Sequence, residues 1–221
     1  VHAFDNTSLV ETLAGQAPTV TTARSFSAGK PIHVSPVTLK MRWNPDATAP
    51  SEAQADVLPP QVDPRQSSLF GAGWTLGSIK QLAANGVAHA TYYETTGWLG
   101  VMASEAGSRL PEQFDDTPGG VYPMWHVFER IGAFSGGAMF MTQSSAPLAA
   151  EALALRGSGG GFCLMVANFS AEPQHVELVN LPDAPLRLRL LDEQSADAAS
   201  RDPLPFRSMG QPFASTTLEL P

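Results

Sequence analysis

Apolar and polar residues follow two different periods over the first 135 residues, and the two periods take turns along the chain. Strand-like segments are rich in β-branched and aromatic residues or alternate with period two, whereas helix-like segments repeat every three to four residues. The predicted elements are a strand at 1–5, a helical region at 8–27, a strand at 31–42, a helix from 63–67 to 85–86, a strand at 87–95 and a helix at 122–134. This order predicts repeated βα units and a parallel sheet.

Several helix ends carry local cap signals. Ser8 is followed by Glu11 at the spacing of a capping box, so we expect the first helix to be capped by Ser8. Pro18 suits the first turn of a second helical piece, and Gly29 suits the end of that piece. The next helix ends at Asn85-Gly86, a common C-terminal signal.

The remainder of the chain has the pattern of short antiparallel strands. Apolar or alternating segments lie at 153–155, 162–166, 175–179, 186–190 and 216–220. The glycine-rich run at 157–161 predicts a hairpin turn between the first two of them. We therefore expect two domains, residues 1–135 and residues 136–221, the second an antiparallel β-sandwich-like domain.

Three βα units leave both edges of a parallel sheet open and cannot close on their own. A (β/α)8 barrel needs eight units over about 250 residues, so the three units are interpreted as the last three of such a barrel. A missing N-terminal barrel segment or another chain is then expected to supply the other strands. The alternative is a self-contained open α/β sheet, although no G-x-G-x-x-G motif supports a Rossmann type.

Composition and charge restrict the kinds of partner. The formal net charge of −8 disfavours non-specific binding to nucleic acid. No apolar run approaches the roughly 18 residues of a membrane span, so we expect no membrane association and a cytoplasmic location. Charged residues make up 15% of the chain, against a usual share of about 25%. A surface with so few charges suits a chain that is covered by another segment.

Five blocks of sequence together carry a family resemblance. They are HAFDNTSLVETL, KPIHVSPVTLKMR, DPRQSSLFGAGWTLG, YYETTGWLGVM and VYPMWHVFERI. As a set they resemble the C-terminal half of the D-apionate lactonase family. The resemblance implies a (β/α)8 barrel that is preceded by a further domain and followed by a small β-domain. It also implies an activity, the opening of a branched-sugar lactone in pentose catabolism, but no catalytic assignment.

Catalytic groups of a barrel lie at the carboxyl-terminal ends of its strands, and three side chains are the catalytic candidates there. Glu94 ends the third strand beside Tyr92 and Tyr93, and we expect it to be buried and to act as a general base. Asp5 follows the first strand and is either a catalytic carboxylate or a helix N-cap. His2, within that strand, is either a catalyst or a packed core histidine.

Five further residues at the same strand ends are candidates for substrate binding. Asn6 follows the first strand, and Arg42 and Asn44 follow the second. A guanidinium such as that of Arg42 can hold the carboxylate of a lactone hydrolysis product, or can form a structural ion pair. Arg65 starts a helix, where the dipole disfavours a cation, so it serves a function or pairs with a nearby aspartate. Trp98 can stack on a sugar or pack under its loop.

The Pro-rich segment 43–63 has no periodicity. Structureless segments of this length are uncommon in compact domains and are usually functional or disordered. In the barrel interpretation it lies at the same end as Asp5 and Glu94, and we expect it to cover the site.

Sequence motifs of serine hydrolases, phosphate-binding loops and metal sites are absent from the chain. The G-x-S-x-G nucleophile elbow is absent, and the glycine run at 157–161 is not followed by the Lys-Ser/Thr of a phosphate loop. His33, His89 and His175 have no mutual spacing typical of a metal site, and Cys163 is interpreted as a core thiol. We therefore expect neither a metal nor a cofactor.

Three classes of function stay open. The first is a hydrolase that opens a sugar lactone to its aldonic acid, with the small sugar lactone as its binding partner. The second is a retaining glycosidase, which needs two carboxylates about 5–5.5 Å apart. The third is a non-catalytic β-module that supports the barrel or binds carbohydrate.

Overall fold

The computed structural model describes residues 5–41 and 55–221 of the chain. The helices are α1 (Asn6–Phe26), α2 (Leu69–Ala84), α3 (Pro123–Ala133), α4 (Ala196–Arg201) and α5 (Pro203–Ser208), with a 3-10 helix at Pro64–Ser67. The strands are β1 (His33–Val37), β2 (His89–Tyr92), β3 (Ala138–Phe140), β4 (Ala150–Arg156), β5 (Phe162–Asn168), β6 (Gln174–Glu177), β7 (Leu186–Leu188), β8 (Gln211–Phe213) and β9 (Thr217–Leu220). The predicted strand at 1–5 lies almost entirely outside the described residues.

The first helical region is one helix rather than the two pieces predicted. The carboxylate of Asp5 accepts a hydrogen bond from the backbone N–H of Ser8 at 2.7 Å, so Asp5 is the N-cap and the prediction of Ser8 as the cap is wrong. Pro18 lies inside the helix on its exposed side. The helix continues through Pro18 because Leu13 and Val20, one on each side of it, are both buried.

The described part of the N-terminal region contains one pair of parallel strands, β1 and β2. His33 lies opposite His89 and Val34 opposite Ala90, and the register shifts before Val37 pairs with Tyr92. The helices α1 and α3 both pack on α2. Of the three predicted parallel strands, the described residues contain the second and the third, and these two pair as predicted.

One face of the strand pair is directed at α2 and α3. The hydroxyl of Tyr92 lies 2.9 Å from that of Ser78, and the hydroxyl of Tyr93 lies 2.8 Å from that of Thr75. Phe128 of α3 packs edge-on against both tyrosine rings. Burial raises the pKa of Tyr92 to about 12 and raises the pKa of Tyr93 as well, so both phenols stay neutral hydrogen-bonding groups.

The opposite face of the strand pair is exposed. Four side chains alternate with the helix-facing ones on this face: His33, Ser35, His89 and Thr91. A parallel sheet is normally covered on both faces. This polar surface is therefore the open side of the N-terminal region.

The C-terminal region consists of small antiparallel sheets. Their strand orders are β3-β4-β5, β6-β9 and β7-β8. The predicted hairpin is confirmed, because β4 and β5 pair along seven residues on either side of the glycine turn. The prediction missed β3, β8, α4 and α5, which are three to six residues long and give too little periodicity to detect.

The two regions meet at α2, which is buried on nearly all sides. Gly73 and Gly77 face the β4-β5 hairpin, and a Cβ atom at Gly73 would lie 3.3 Å from Ala167 and 3.4 Å from Phe169. The ammonium of Lys80 lies 2.5 Å from the carboxylate of Glu151 in β4. Side chains from both regions therefore share one hydrophobic core.

The described helices differ in length and in the proportion of apolar residues. None of them, including the 21-residue α1, is both long and apolar enough to cross a bilayer.

Candidate functional site

Because β1 and β2 run parallel, their carboxyl-terminal ends meet at one edge of the sheet. We call this region the carboxyl edge. It consists of the ends of β1 and β2, the segments 38–41, 61–68 and 93–100 that follow them, and the N-terminal end of α1. Ligands of parallel α/β sheets bind at such edges, which makes this edge the place for a candidate site.

The best-formed polar feature of the carboxyl edge is the pair of Asp63 and Arg65. Asp63 is only 2% exposed and caps the 3-10 helix. One of its oxygens accepts hydrogen bonds from the backbone N–H and Nε of Arg65, each at 2.9 Å, and the other accepts one from Nη2 at 2.7 Å. This bidentate arrangement fixes the direction of the guanidinium. Arg65 therefore forms the ion pair predicted as its structural role. It also lies at the carboxyl ends of the strands, where a functional role was predicted.

A second cation reinforces the charge of Arg65. Lys40 donates from its ammonium to the backbone carbonyl of Val62 at 3.0 Å, next to Asp63. Burial alone would raise the pKa of Asp63, but the hydrogen bonds of Arg65 and the charges of Arg65 and Lys40 hold that pKa below its ordinary value. Asp63 thus holds Arg65 directly, and the carbonyl of Val62 holds Lys40 beside this pair.

The N-terminal end of α1 closes one side of this cluster. Nη1 of Arg65 donates to the amide oxygen of Asn6 at 3.3 Å. Hydrogen bonds from Ser8 lower the pKa of Asp5, and the charge of Arg65 contributes to the shift. Asp5 therefore serves as the helix cap, the second of its two predicted roles. The structure brings Asp5, Asn6 and Arg65 together as the sequence predicts.

Buried contacts hold the 3-10 helix in place beneath Arg65. The side-chain amide of Gln66 donates to the carbonyl of Gly100 at 2.7 Å, which ties this helix to the segment after β2. The hydroxyl of Ser67 donates to the carbonyl of Asp115 at 2.6 Å. Gly71 in α2 approaches so closely that a Cβ there would lie 2.2 Å from the carbonyl oxygen of Arg65. Only glycine permits this approach.

Glu94 lies at the carboxyl edge directly after β2, at the position predicted for it. Its side chain is exposed, so the expectation that it is buried is wrong. The reason is the backbone of Tyr93, whose φ of 49° ends the strand and directs the tyrosine toward α2 instead of letting the alternation continue. The N–H of Glu94 donates to the carbonyl of Leu99 at 2.8 Å, which closes a tight loop.

Trp98 is half-buried within the segment after β2. Its indole N–H donates to the hydroxyl of Ser108 at 2.8 Å, and its ring contacts Phe114. The guanidinium of Arg109 lies over the ring, 5.1 Å from the centroid. Trp98 is therefore held by packing, and one face of it carries a cation rather than being open for a sugar.

Three predicted site residues, His2, Arg42 and Asn44, lie outside the described residues, as does most of the segment 43–63 predicted to cover the site. Two residues of the cluster, Lys40 and Gln66, were not predicted.

Within residues 5–41 and 55–221, no group of three or more His, Cys, Asp or Glu side chains could hold a metal ion. Cys163 is half-buried in β5, and burial raises the pKa of its thiol, which makes it a poor nucleophile. The chemistry available at the carboxyl edge is thus that of guanidinium, ammonium, amide and carboxylate groups.

Two protein-family models match this chain. A family model described as "D-apionate lactonase, TIM barrel domain" matches residues 1–136, and one described as "D-apionate lactonase, C-terminal immunoglobulin-like domain" matches residues 147–221. The chain belongs to the D-apionate lactonase family. The family resemblance noted in the sequence is thereby confirmed. Searches of curated proteins and of solved structures found no match.

Membership of the D-apionate lactonase family supports a hydrolase of the sugar-lactonase type and a TIM barrel domain joined to an immunoglobulin-like domain. The small antiparallel sheets of the C-terminal region are compatible with the second of these. The geometry of the carboxyl edge is what distinguishes the roles of its individual side chains.

Proposed function

We propose that this chain supplies part of the active site of an enzyme that hydrolyses a branched-sugar lactone, of the D-apionolactone kind, to its aldonic acid. Water adds to the lactone carbonyl carbon, the ring C–O bond breaks, the leaving oxygen takes up a proton and the new acid loses one. The product carries a carboxylate and the substrate does not. A site for this reaction therefore needs a group that withdraws a proton from water and a cation that stabilises the developing negative charge.

The observation that carries the proposal is the anchored guanidinium of Arg65. Asp63 holds Arg65 through two side-chain hydrogen bonds at 2.7 and 2.9 Å, and Asn6 lies 3.3 Å from its third nitrogen. A guanidinium positioned before substrate arrives does not have to be reoriented during the reaction. Lys40 adds a second positive charge to the same cluster. The N–H groups of these two cations are the donors that can stabilise a carbonyl oxygen that becomes negative.

Glu94 is proposed as the general base that activates water. It follows directly after β2, and its exposure leaves it reachable by solvent and by a small substrate. Asp5 is the weaker choice because one of its oxygens is used as the cap of α1. The structural role of Asp5 as a helix cap also favours the lactonase over a retaining glycosidase, which needs two catalytic carboxylates.

We further propose that additional strands complete the barrel around β1 and β2, supplied by a preceding segment or by another chain. Two parallel strands cannot form a barrel alone. Their exposed face, with His33, Ser35, His89 and Thr91, is the surface that such strands would enclose. The lactonase activity is accordingly expected of the protein with a complete barrel.

The test is hydrolysis of a panel of sugar γ-lactones and nitrophenyl glycosides by the enzyme with a complete barrel. Glu94→Gln keeps the shape of the side chain but removes the base, and it should lower kcat by at least about 100-fold. Arg65→Lys keeps the charge but loses the bidentate geometry, and it should lower kcat/KM by at least about 10-fold. Arg109→Lys is the matched control, because its guanidinium lies over Trp98 rather than in the cluster.

Turnover of glycosides without turnover of lactones would contradict the proposal. So would a Glu94→Gln enzyme that keeps full activity but unfolds more easily, since Glu94 would then have a structural role.

A further inference from the structure

Two histidines lie side by side at the amino-terminal ends of β1 and β2, away from the carboxyl edge. His33 is the first residue of β1, His89 is the first residue of β2, and the two are direct partners in the parallel register. Their ring centroids lie 5.6 Å apart with the planes inclined at 41°. Both side chains are exposed on the open face of the strand pair.

The sequence alone predicts no metal site, because His33 and His89 are far apart in the chain, but the strand register makes them neighbours. We propose that they form a binding site for a borderline divalent transition-metal ion, with Zn²⁺ as the reference ion. Imidazole nitrogen suits Zn²⁺, Cu²⁺ and Ni²⁺, whereas Mg²⁺ and Ca²⁺ prefer oxygen ligands. Within residues 5–41 and 55–221 no third His, Cys, Asp or Glu side chain completes a metal group. The described residues thus supply two ligands, which leaves the other coordination positions for water or for groups outside these ranges.

The spacing of the rings fits this chemistry. A zinc–nitrogen bond is about 2.0–2.1 Å, which places the metal roughly 3.2 Å from the centroid of each ring. Centroids 5.6 Å apart then subtend about 120° at the metal, close to the tetrahedral angles that zinc adopts. This distance allows both rings to reach one ion once a nitrogen of each ring is turned toward it.

The backbone holds the two histidines at this spacing before any ion binds. The N–H of Ala88 donates to the carbonyl of Ile32 at 2.9 Å immediately before the pair, and Val34 and Ala90 are paired immediately after it. Among the described contacts neither imidazole is engaged in a hydrogen bond or an ion pair. Both rings are thus available as ligands, on strands whose separation is set by the ladder.

The position of the site indicates a structural ion rather than a catalytic one. His33 and His89 lie at the end of the strands opposite to Glu94 and Arg65. Residues at the amino-terminal face of a parallel barrel contribute to stability, whereas chemistry is found at the carboxyl face. An ion bound here would link β1 to β2 and stabilise the folded state by mass action.

The test is a calorimetric titration of the 221-residue chain with ZnCl2 at neutral pH, together with NMR of the imidazole side chains. We expect one saturable Zn²⁺ per chain, with selective shifts of the His33 and His89 rings. His33→Ala and His89→Ala should each weaken binding at least about 10-fold, since even loss of an indirect supporting contact typically costs that much. His2→Ala and His175→Ala are the controls and should bind Zn²⁺ like the parent chain.

Two results would overturn the proposal. One is the absence of saturable binding up to millimolar Zn²⁺, and the other is a site that survives both His33→Ala and His89→Ala. If an alanine variant fails to fold, His33→Gln and His89→Gln keep a polar side chain on the exposed face and give the same comparison. Because the titration does not depend on hydrolysis, its outcome is separate from the lactonase proposal.

Discussion

The ion pair between Lys80 and Glu151 is the sharpest place to test how the two regions depend on each other. Lys80 lies in α2 and Glu151 in β4, their charged atoms are 2.5 Å apart, and each side chain is 7% exposed. The same oxygen of Glu151 also accepts a hydrogen bond from the N–H of Ala152 at 2.9 Å. We expect Lys80→Met, which leaves the carboxylate buried without its cation, to destabilise the fold strongly.

The size of the effect follows from the burial. Removing one partner of a buried ion pair typically costs about 3–5 kcal/mol, because the remaining charge keeps its desolvation penalty. Replacing both partners with apolar residues of similar volume is often neutral or stabilising. The double variant Lys80→Met/Glu151→Leu should therefore recover most of the stability that Lys80→Met loses. A whole domain is stable by only about 5–15 kcal/mol, so the single change is a large fraction of the total.

Urea unfolding, followed by tryptophan fluorescence and circular dichroism, measures the free energy of unfolding of the single and the double variant. The expected loss corresponds to a Tm lower by roughly 6–20 °C for a protein of this size. Glu172→Gln is a suitable control, since this exposed carboxylate lies outside the core. A Lys80→Met variant within about 1 kcal/mol of the parent, or a double variant no better than the single one, would refute the reasoning, because the buried charge would then carry no penalty.

Two further predictions concern the carboxyl edge. Gly71→Ala places a Cβ 2.2 Å from the carbonyl oxygen of Arg65, so it should lower the free energy of unfolding by about 1–3 kcal/mol and move the guanidinium. Gly15→Ala, in open space on α1, should instead raise the free energy of unfolding by up to about 1 kcal/mol. Unfolding curves of the two variants check this, and equal effects would contradict it. Because the pKa of Asp63 is lowered in the folded state, its contribution is complete above its unfolded value of 3.8 and is lost as the pH falls through the lower folded value. Asp63→Asn should therefore be less stable than the parent by roughly 2–3 kcal/mol at pH 7, and this gap should shrink below about pH 4; a gap that stays constant down to pH 2 would show that the carboxylate charge is not responsible.

Elements with strong local signals could be predicted from the sequence. The end of α2 at Asn85, the start of α3 at Pro123 and the β4-β5 hairpin all depend on residues adjacent in the chain. The sequence offers two caps for α1, because Asp5 and Ser8 are both good N-cap residues three positions apart, and the structure uses Asp5. The choice between them is decided only by where the helix begins.

Part of the candidate site could also be predicted from the sequence, but from the order of the strands rather than from local signals. The edge that carries Asp5, Asn6, Arg65 and Glu94 follows from the order of the strands, which the sequence reveals. The contacts of Lys40 and Gln66 could not be predicted, because their partners lie 22 and 34 residues away in the chain. No local period or motif marks such contacts.

The composition of α2 shows why the site and the C-terminal region are connected. A helix buried on nearly all sides must let its neighbours approach and must satisfy its own polar groups. Glycines at positions 71, 73 and 77 allow the approach of the 3-10 helix, of β5 and of α1. Thr75 and Ser78 bond the two tyrosine hydroxyls at the end of β2. The helix that supports Arg65 at its start therefore also contacts the strand end before Glu94 and, through Lys80, the immunoglobulin-like domain.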